Sequence, residues 1–251
     1  MDPILSSLTH PIVKYLIRLK EKKPFRQEHK RVVIFGKKIV QDLPKDLEIH
    51  TLLSVDPHLL PKVKAKKRYL VTEAIMKKIY GEGTSDGIAA EVSMPLQLSK
   101  MPLNSLLVLD RIQDPGNLGT LLRTALALGW QAVYLLEGSC DPFNDKALKA
   151  SMGATFCLPL LHGNREGLLS VIDSEKLTPY AAALQGTPLD ALLLSPKPLL
   201  ILGNESKGIT ADLLSLSQPV SIPMRGKMES LNVSCAGAIL MYQLLQTQRT
   251  L

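Results

Sequence analysis

The second half of this sequence contains almost no histidine. Of the five histidines among 251 residues, only His162 follows residue 58. We find no H-E-x-x-H motif and no paired His and Cys ligands, and the three cysteines, at positions 140, 157 and 235, show no metal-binding spacing. A metal mechanism and a Ser-His-Asp triad therefore lack the side chains that they need in this half, and we expect no metal.

Other absences exclude further classes. The chain has no run of about 18 uninterrupted apolar residues, so a membrane span is not expected. Its first residues lack the cationic-then-apolar order of a signal peptide, and an odd cysteine count argues against a disulfide framework, so we expect a cytoplasmic protein. The second half also lacks G-x-G-x-x-G after its first strand and G-x-x-x-x-G-K-[ST], which argues against a nicotinamide cofactor or a nucleoside triphosphate bound in the usual manner.

The positive charge is concentrated in the first part of the chain. The net charge is +7, and residues 1–100 contain 19 Lys and Arg against 11 Asp and Glu, whereas the remaining residues contain 11 against 12. Two clusters, Lys14 to Arg31 and Lys62 to Arg68, supply most of this excess. The pattern is typical of a module that binds a polyanion, and a solvated charged face is the alternative interpretation.

The order of apolar segments predicts two α/β modules. Residues 1–93 alternate short strands and helices, beginning with a helix from Pro11 to Lys23 that we expect to end at Pro24. Residues 94–104, with two prolines, are the predicted linker. Residues 105–251 alternate buried strands, including SLLVL, FCLPLL and PLLIL, with helices, which predicts a doubly wound parallel sheet.

Three loops that follow predicted strands combine glycine with polar residues. They are RIQDPGNLGTLLRT after SLLVLD, GNESKGIT after PLLIL, and MRGKMESLNVS after VSIP. Ligands bind beyond the carboxyl ends of the strands in such sheets. Each polar residue also has a structural interpretation: Asn117 and Ser230 are candidate helix caps, Arg123 could lie along its helix, and Glu205 could be a surface residue.

The available side chains favour a reaction that needs neither histidine nor metal. Methyl transfer from a sulfonium donor meets this requirement because the donor is already activated. The protein then has to align the acceptor, the methyl group and the leaving sulfur, and to assist removal of a proton.

Together the three loops resemble the SpoU (TrmH-like) family of the SPOUT superfamily, which are RNA ribose 2′-O-methyltransferases that use S-adenosylmethionine. The resemblance rests on N-L-G-x-L-x-R at 117–123, G-N-E-x-x-G at 203–208 and I-P-M-x-G-x-x-x-S-L-N-V-S at 222–234. It implies a trefoil knot in the catalytic domain at 105–251, and a homodimer. It also implies a polar active-site set of Asn117, Arg123, Glu205, Ser230 and Asn232, and a donor pocket at Leu202, Gly203, Ile222, Met224 and Leu231.

The first module resembles the L30e-like substrate-binding domain of this family. Since a separate basic module is typical of the family's ribosomal RNA enzymes, ribosomal RNA is favoured over transfer RNA. For Arg123, the family resemblance suggests an activating group. We favour an electrostatic clamp, because a guanidinium holds its proton strongly and is a poor base. A non-catalytic protein that binds structured RNA is the alternative from another class.

Overall fold

A computed structural model describes residues 4–95, 102–227 and 229–246. The described chain divides into two compact units, one made of 4–95 with 143–157, and the other of 102–142 with 158–246. Most of the predicted linker, residues 96–101, lies outside the described residues. In the described part of the chain, every helix is too short or too polar to cross a membrane.

The secondary structure alternates along the chain, with two short 3-10 helices at Leu60–Lys62 and Leu189–Ala191. The strands are β1 (Ile4–Leu5), β2 (Arg31–Phe35), β3 (Ile49–Ser54), β4 (Lys67–Val71), β5 (Ile88–Ser93), β6 (Leu106–Asp110), β7 (Ala132–Leu136), β8 (Leu160–Gly163), β9 (Thr178–Pro188), β10 (Pro198–Gly203) and β11 (Gln218–Ser221). The helices are α1 (Pro11–Glu21), α2 (Lys23–His29), α3 (Lys37–Gln41), α4 (Glu73–Tyr80), α5 (Pro115–Leu128), α6 (Asp145–Ser151), α7 (Ala154–Cys157), α8 (Arg165–Glu175), α9 (Ala211–Ser215) and α10 (Val233–Gln246).

The first unit is a mixed five-stranded sheet in the order β1-β4-β3-β5-β2, with β5 antiparallel to both of its neighbours. One face of the sheet packs against α1 and α4. The core on the other face includes Phe143, Leu148 and Phe156 from the segment that carries α6 and α7. We expected this segment to belong to a second module that was continuous from residue 105. The structure differs because these three side chains are buried in the core of the first unit.

Two predicted element boundaries were wrong. The first helix ends at Glu21, and Pro24 lies in the first turn of a new helix, α2, where the missing N–H of proline has no helical partner to lose. Phe156 and Cys157 end α7, and the strand predicted at FCLPLL begins only at Leu160.

The second unit is a six-stranded sheet in the order β11-β9-β10-β6-β7-β8, and every pair of strands is parallel. This confirms the predicted α/β class. Leu168 of α8 and Leu213 of α9 belong to the core on one face. On α10, a Cβ at Gly237 would lie 2.6 Å from side chains of Leu121 and Leu202, so the helix packs closely on α5 and β10. The trefoil knot implied by the family resemblance stays a prediction.

Candidate active site

The first two candidate loops leave adjacent strands. β6 and β10 are parallel neighbours, and Asp110 at the end of β6 lies opposite Gly203 at the end of β10. After β6, Asp114 caps α5, because its side chain accepts a hydrogen bond of 2.8 Å from the backbone N–H of Asn117. The interpretation of Asn117 as the cap was therefore wrong. Asn117 lies in the first turn of α5, and its side-chain amide contacts the second loop.

The Glu205 carboxylate extends from the second loop to the first. Its Oε1 accepts hydrogen bonds from Asn117 Nδ2 at 3.0 Å and from the backbone N–H of Asp114 at 3.3 Å. Its Oε2 accepts one from the backbone N–H of Gln113 at 3.2 Å. Partial burial opposes ionisation of Glu205, but these hydrogen bonds outweigh it and lower the pKa of the carboxyl below its ordinary value. Glu205 is therefore an anion at neutral pH.

Asn232 connects the third loop to the same group. Its Nδ2 donates a hydrogen bond of 3.0 Å to Asn117 Oδ1, so Glu205, Asn117 and Asn232 form one chain across the three loops. Asn232 Oδ1 accepts from the backbone N–H of Ser234 at 2.8 Å and from its hydroxyl at 2.6 Å. Asn232 therefore also caps α10. The cap that we considered at Ser230 was wrong, because the helix begins at Val233.

Arg123 and Ser230 lie outside this hydrogen-bonded chain. Arg123 projects from the exposed face of α5, and its guanidinium has no hydrogen bond or ion pair with any described residue. Ser230 is exposed in the third loop. Within the described ranges, Arg123 makes no hydrogen bond to Asn117, Glu205 or Ser230.

The five residues predicted for the donor pocket lie at the end of β10 and in the segment between β11 and α10. Leu202 is buried at the end of β10, and Gly203 follows it at a point where an added Cβ would lie 2.3 Å from the backbone of Gly208. Beyond β11, Ile222 is half-buried, whereas Met224 and Leu231 leave 40% and 39% of their surface exposed. This edge of the sheet thus combines close backbone packing with uncovered apolar side chains.

This region contains the Glu205 carboxylate and a thiol, Cys140, that is not an activated nucleophile. Cys140 follows β7 and is partly buried. Burial, and then the charges of Glu205 and Asp114, raise the pKa of its thiol to about 11, so it stays protonated at neutral pH. No three His, Cys, Asp or Glu side chains converge on a possible metal position in the ranges that the structure describes.

Several residues of the site were not predicted from the sequence. Gln113 and Asp114 contribute backbone N–H groups to Glu205, which no side-chain pattern reveals. Asp110 is 2% exposed and accepts from Thr210 N, while Asn204 donates to Arg111 O. The sequence feature that could have indicated a role for Asp110 is its position as a charged residue at the end of the apolar run SLLVLD.

Comparison with known proteins identifies the family of the chain. Residues 104–242 match the model of the SpoU rRNA Methylase family. The chain is 37% identical over 178 residues to the 23S rRNA (guanosine(2553)-2′-O)-methyltransferase RlmP of Bacillus subtilis, covering 70% of this chain and 71% of that protein. The crystal structure of an AdoMet-bound rRNA methyltransferase from Sinorhizobium meliloti superposes with a TM-score of 0.86 at 26% identity over 97% of each chain. A crystal structure of an RNA 2′-O ribose methyltransferase gives 0.84 at 29% identity, covering 99% of this chain and all (100%) of that one. The chain therefore belongs to the SpoU rRNA methylase family.

Proposed function

We propose that this protein transfers a methyl group from S-adenosylmethionine to a ribose 2′-hydroxyl of RNA, with ribosomal RNA as the substrate. The main support is the chain of hydrogen bonds from Glu205 through Asn117 to Asn232. It joins the three family motifs at one edge of the sheet. The names of relatives that modify 23S rRNA support the substrate.

The residues at the strand ends fit the donor. A ligand with an apolar adenine ring needs uncovered apolar side chains beside backbone polar groups. Met224 and Leu231 offer uncovered apolar side chains. Leu202, Gly203 and Ile222 offer backbone polar groups. S-adenosylmethionine, when bound, supplies a methyl group on a positively charged sulfur.

The remaining task of the protein is to orient and activate the hydroxyl. A guanidinium holds its proton strongly and so is a poor base. Arg123 instead acts as a fixed positive charge that lowers the pKa of the ribose hydroxyl and positions a phosphate of the RNA. The ribose is aligned by the hydrogen-bonded chain of Asn117, Glu205 and Asn232. The exposed Ser230 hydroxyl, in the same loop as Asn232, is a further hydrogen-bond donor.

The first unit serves as the substrate-binding module. Residues 1–93, in our proposal an L30e-like domain, contain most of the basic excess, and their exposed lysines include Lys22, Lys23 and Lys30. RNA affinity depends strongly on such contacts to phosphate. The proposed activity on ribosomal RNA also supports a cytoplasmic location.

The second unit forms a homodimer through exposed apolar side chains of α5 and α10. Leu126 of α5 is 38% exposed, and Ile239 and Tyr242 of α10 are 40% and 53% exposed. With Cys235, the α10 residues recur at helical spacing on one face. We call these four residues the α5/α10 face. Arg123 lies on the same helix as Leu126, and exposed apolar patches of this kind mark interaction surfaces.

Three measurements test the proposed function. Calorimetry should detect binding of S-adenosylmethionine, and a tritium-methyl assay should show transfer into ribosomal RNA, with methylated riboses mapped in cells with and without the gene. Transfer into transfer RNA alone would replace the substrate. RNA binding without donor binding would favour the non-catalytic alternative.

A further inference from the structure

The loops after β6 and β10 are joined by hydrogen bonds in addition to those of Glu205. The two strands are parallel neighbours, and their pairing ends at Asp110 and Gly203. Beyond this pair, hydrogen bonds continue to connect the two loops. One bond joins Asn204 to Arg111, and the other joins Thr210 to Asp110.

Asn204 uses both ends of its side-chain amide in this connection. Nδ2 donates to the backbone carbonyl of Arg111 at 2.9 Å. Oδ1 accepts from the backbone N–H groups of Ser206 and Lys207, at 3.0 and 2.9 Å. One atom therefore shapes the second loop internally, and the other connects that loop to the first.

Asp110 makes the reciprocal connection. It is 2% exposed, and its Oδ2 accepts from the backbone N–H of Thr210 at 2.8 Å. Its Oδ1 accepts from Arg111 Nε at 2.9 Å. The backbone of Arg111 has a φ of +58°, a left-handed conformation that residues other than glycine seldom adopt. The carbonyl of Arg111 accepts the hydrogen bond from Asn204 Nδ2.

Glu205 directly follows Asn204, but all of its cross-loop partners belong to the loop and helix after β6. The donors are Asn117 Nδ2 and the backbone N–H groups of Gln113 and Asp114. The spacing of the two loops therefore sets the distance between the Glu205 carboxylate and the Asn117 amide. Side chains that fix this spacing act on the site without touching a ligand.

We propose that Asn204 and Asp110 are positioning residues for methyl transfer, which hold the loop of Glu205 against the loop of Asn117. This inference rests on the proposed function. Small displacements of aligned groups can cost about 100-fold in rate.

The substitution Asn204→Asp separates the two roles of this side chain. A carboxylate still accepts from Ser206 and Lys207, so the second loop keeps its internal shape. It has no N–H to donate, and it faces the Arg111 carbonyl with a negative charge. Asn204→Ala loses both roles. The matched control is Asn164→Asp, because Asn164 Oδ1 also accepts a backbone hydrogen bond in the same unit, from Gly167 N in the first turn of α8.

The experiment measures donor affinity, unfolding, and kcat and KM for RNA in the full chain. We expect Asn204→Asp to lower kcat by about 10-fold to 100-fold, with donor Kd, KM and urea midpoint close to those of Asn164→Asp. Because Asn204 acts through Glu205 and Asn117, the same substitution should cost little further in an Asn117→Ala background. We also expect the acid limb of the pH–rate profile to move to higher pH, since a loosened Glu205 loses hydrogen bonds that lower its pKa.

Asp110→Asn provides the second test. It removes an acceptor for Thr210 N–H or Arg111 Nε, and it should lower kcat in the same manner. A kcat within about threefold of wild type in both variants, or a loss that adds fully to that of Asn117→Ala, would overturn the inference while leaving the proposed function intact. A wild-type protein that binds the donor but methylates no RNA would overturn the proposed function first.

Discussion

The Nδ2 of Asn232 donates a hydrogen bond of 3.0 Å to the Oδ1 of Asn117, and this bond fixes the orientation of both amides. Asn117 Nδ2 also donates to Glu205, while Asn232 Oδ1 accepts from Ser234. Neither amide can turn over without placing two donors or two acceptors against each other. The cap of α10 and the candidate active site are therefore parts of one arrangement.

This relationship predicts the effect of Asn232→Asp. The carboxylate still accepts from Ser234, so α10 should keep its start and the free energy of unfolding should change by less than about 1 kcal/mol. It cannot donate to Asn117, and we expect methyl transfer to fall by about 100-fold. The matched control is Asn144→Asp, since Asn144 caps α6 through Lys146 N. Equal activity of the two variants would contradict the prediction.

Arg123→Ala should abolish methylation while donor affinity stays close to wild type. The side chain is exposed, so its loss should change the free energy of unfolding by less than about 0.5 kcal/mol. We expect kcat/KM to fall by at least about 100-fold in the tritium-methyl assay, because a fixed charge at the hydroxyl is removed. Arg165→Ala, on α8 of the same unit, is the control. Near-normal turnover of Arg123→Ala would remove this residue from the mechanism.

The stability of the protein should depend on the ionisation of Glu205. Its folded-state pKa is lowered, so the unfolded chain binds more protons as the carboxyl titrates. The contribution is fully present above the ordinary pKa of a glutamate and is lost as the pH falls through the lower folded value, from about pH 5 downward. Urea unfolding should therefore lose stability more steeply over this range in wild type than in Glu205→Gln. Parallel curves would argue against the hydrogen-bonded carboxylate.

The α5/α10 face predicts the oligomeric state. Ile239→Glu places a charge among its exposed apolar residues, and we expect sedimentation velocity to change from a dimer to a monomer. Alkylation of Cys235, which lies on this face, should become faster in the same variant. Leu184→Glu, at a 72% exposed apolar residue outside the face, is the control. A wild-type monomer at micromolar concentration would refute the dimer.

Phe156→Ala tests the segment that the first unit takes from later in the chain. Phe156 is 7% exposed, and it packs with Phe143 at a ring-centroid distance of 6.3 Å. We expect its truncation to destabilise the protein by about 3–5 kcal/mol in urea unfolding. Leu193→Ala, at a fully exposed residue, should change the stability by less than about 0.5 kcal/mol. A loss for Phe156→Ala below about 1 kcal/mol would contradict its place in the core.

The sequence predicts the parallel sheet and the meeting of Asn117, Glu205 and Asn232, because apolar runs identify buried strands and polar residues follow them directly. It does not predict which residue caps each helix. Asp114 and Asn117 can both accept an N–H, as can Ser230 and Asn232, and the choice depends on where the helix starts. It also does not predict the partner of Phe156, since an apolar pattern shows that a residue is buried but not in which core.

The membership of Phe143–Cys157 in the first unit limits how that unit can be exchanged. A chimera that replaces only residues 1–95 would leave Phe143, Leu148 and Phe156 without the core that buries them. Any transplanted first unit must therefore bring two separate stretches of chain, and a single splice point is not sufficient to exchange it.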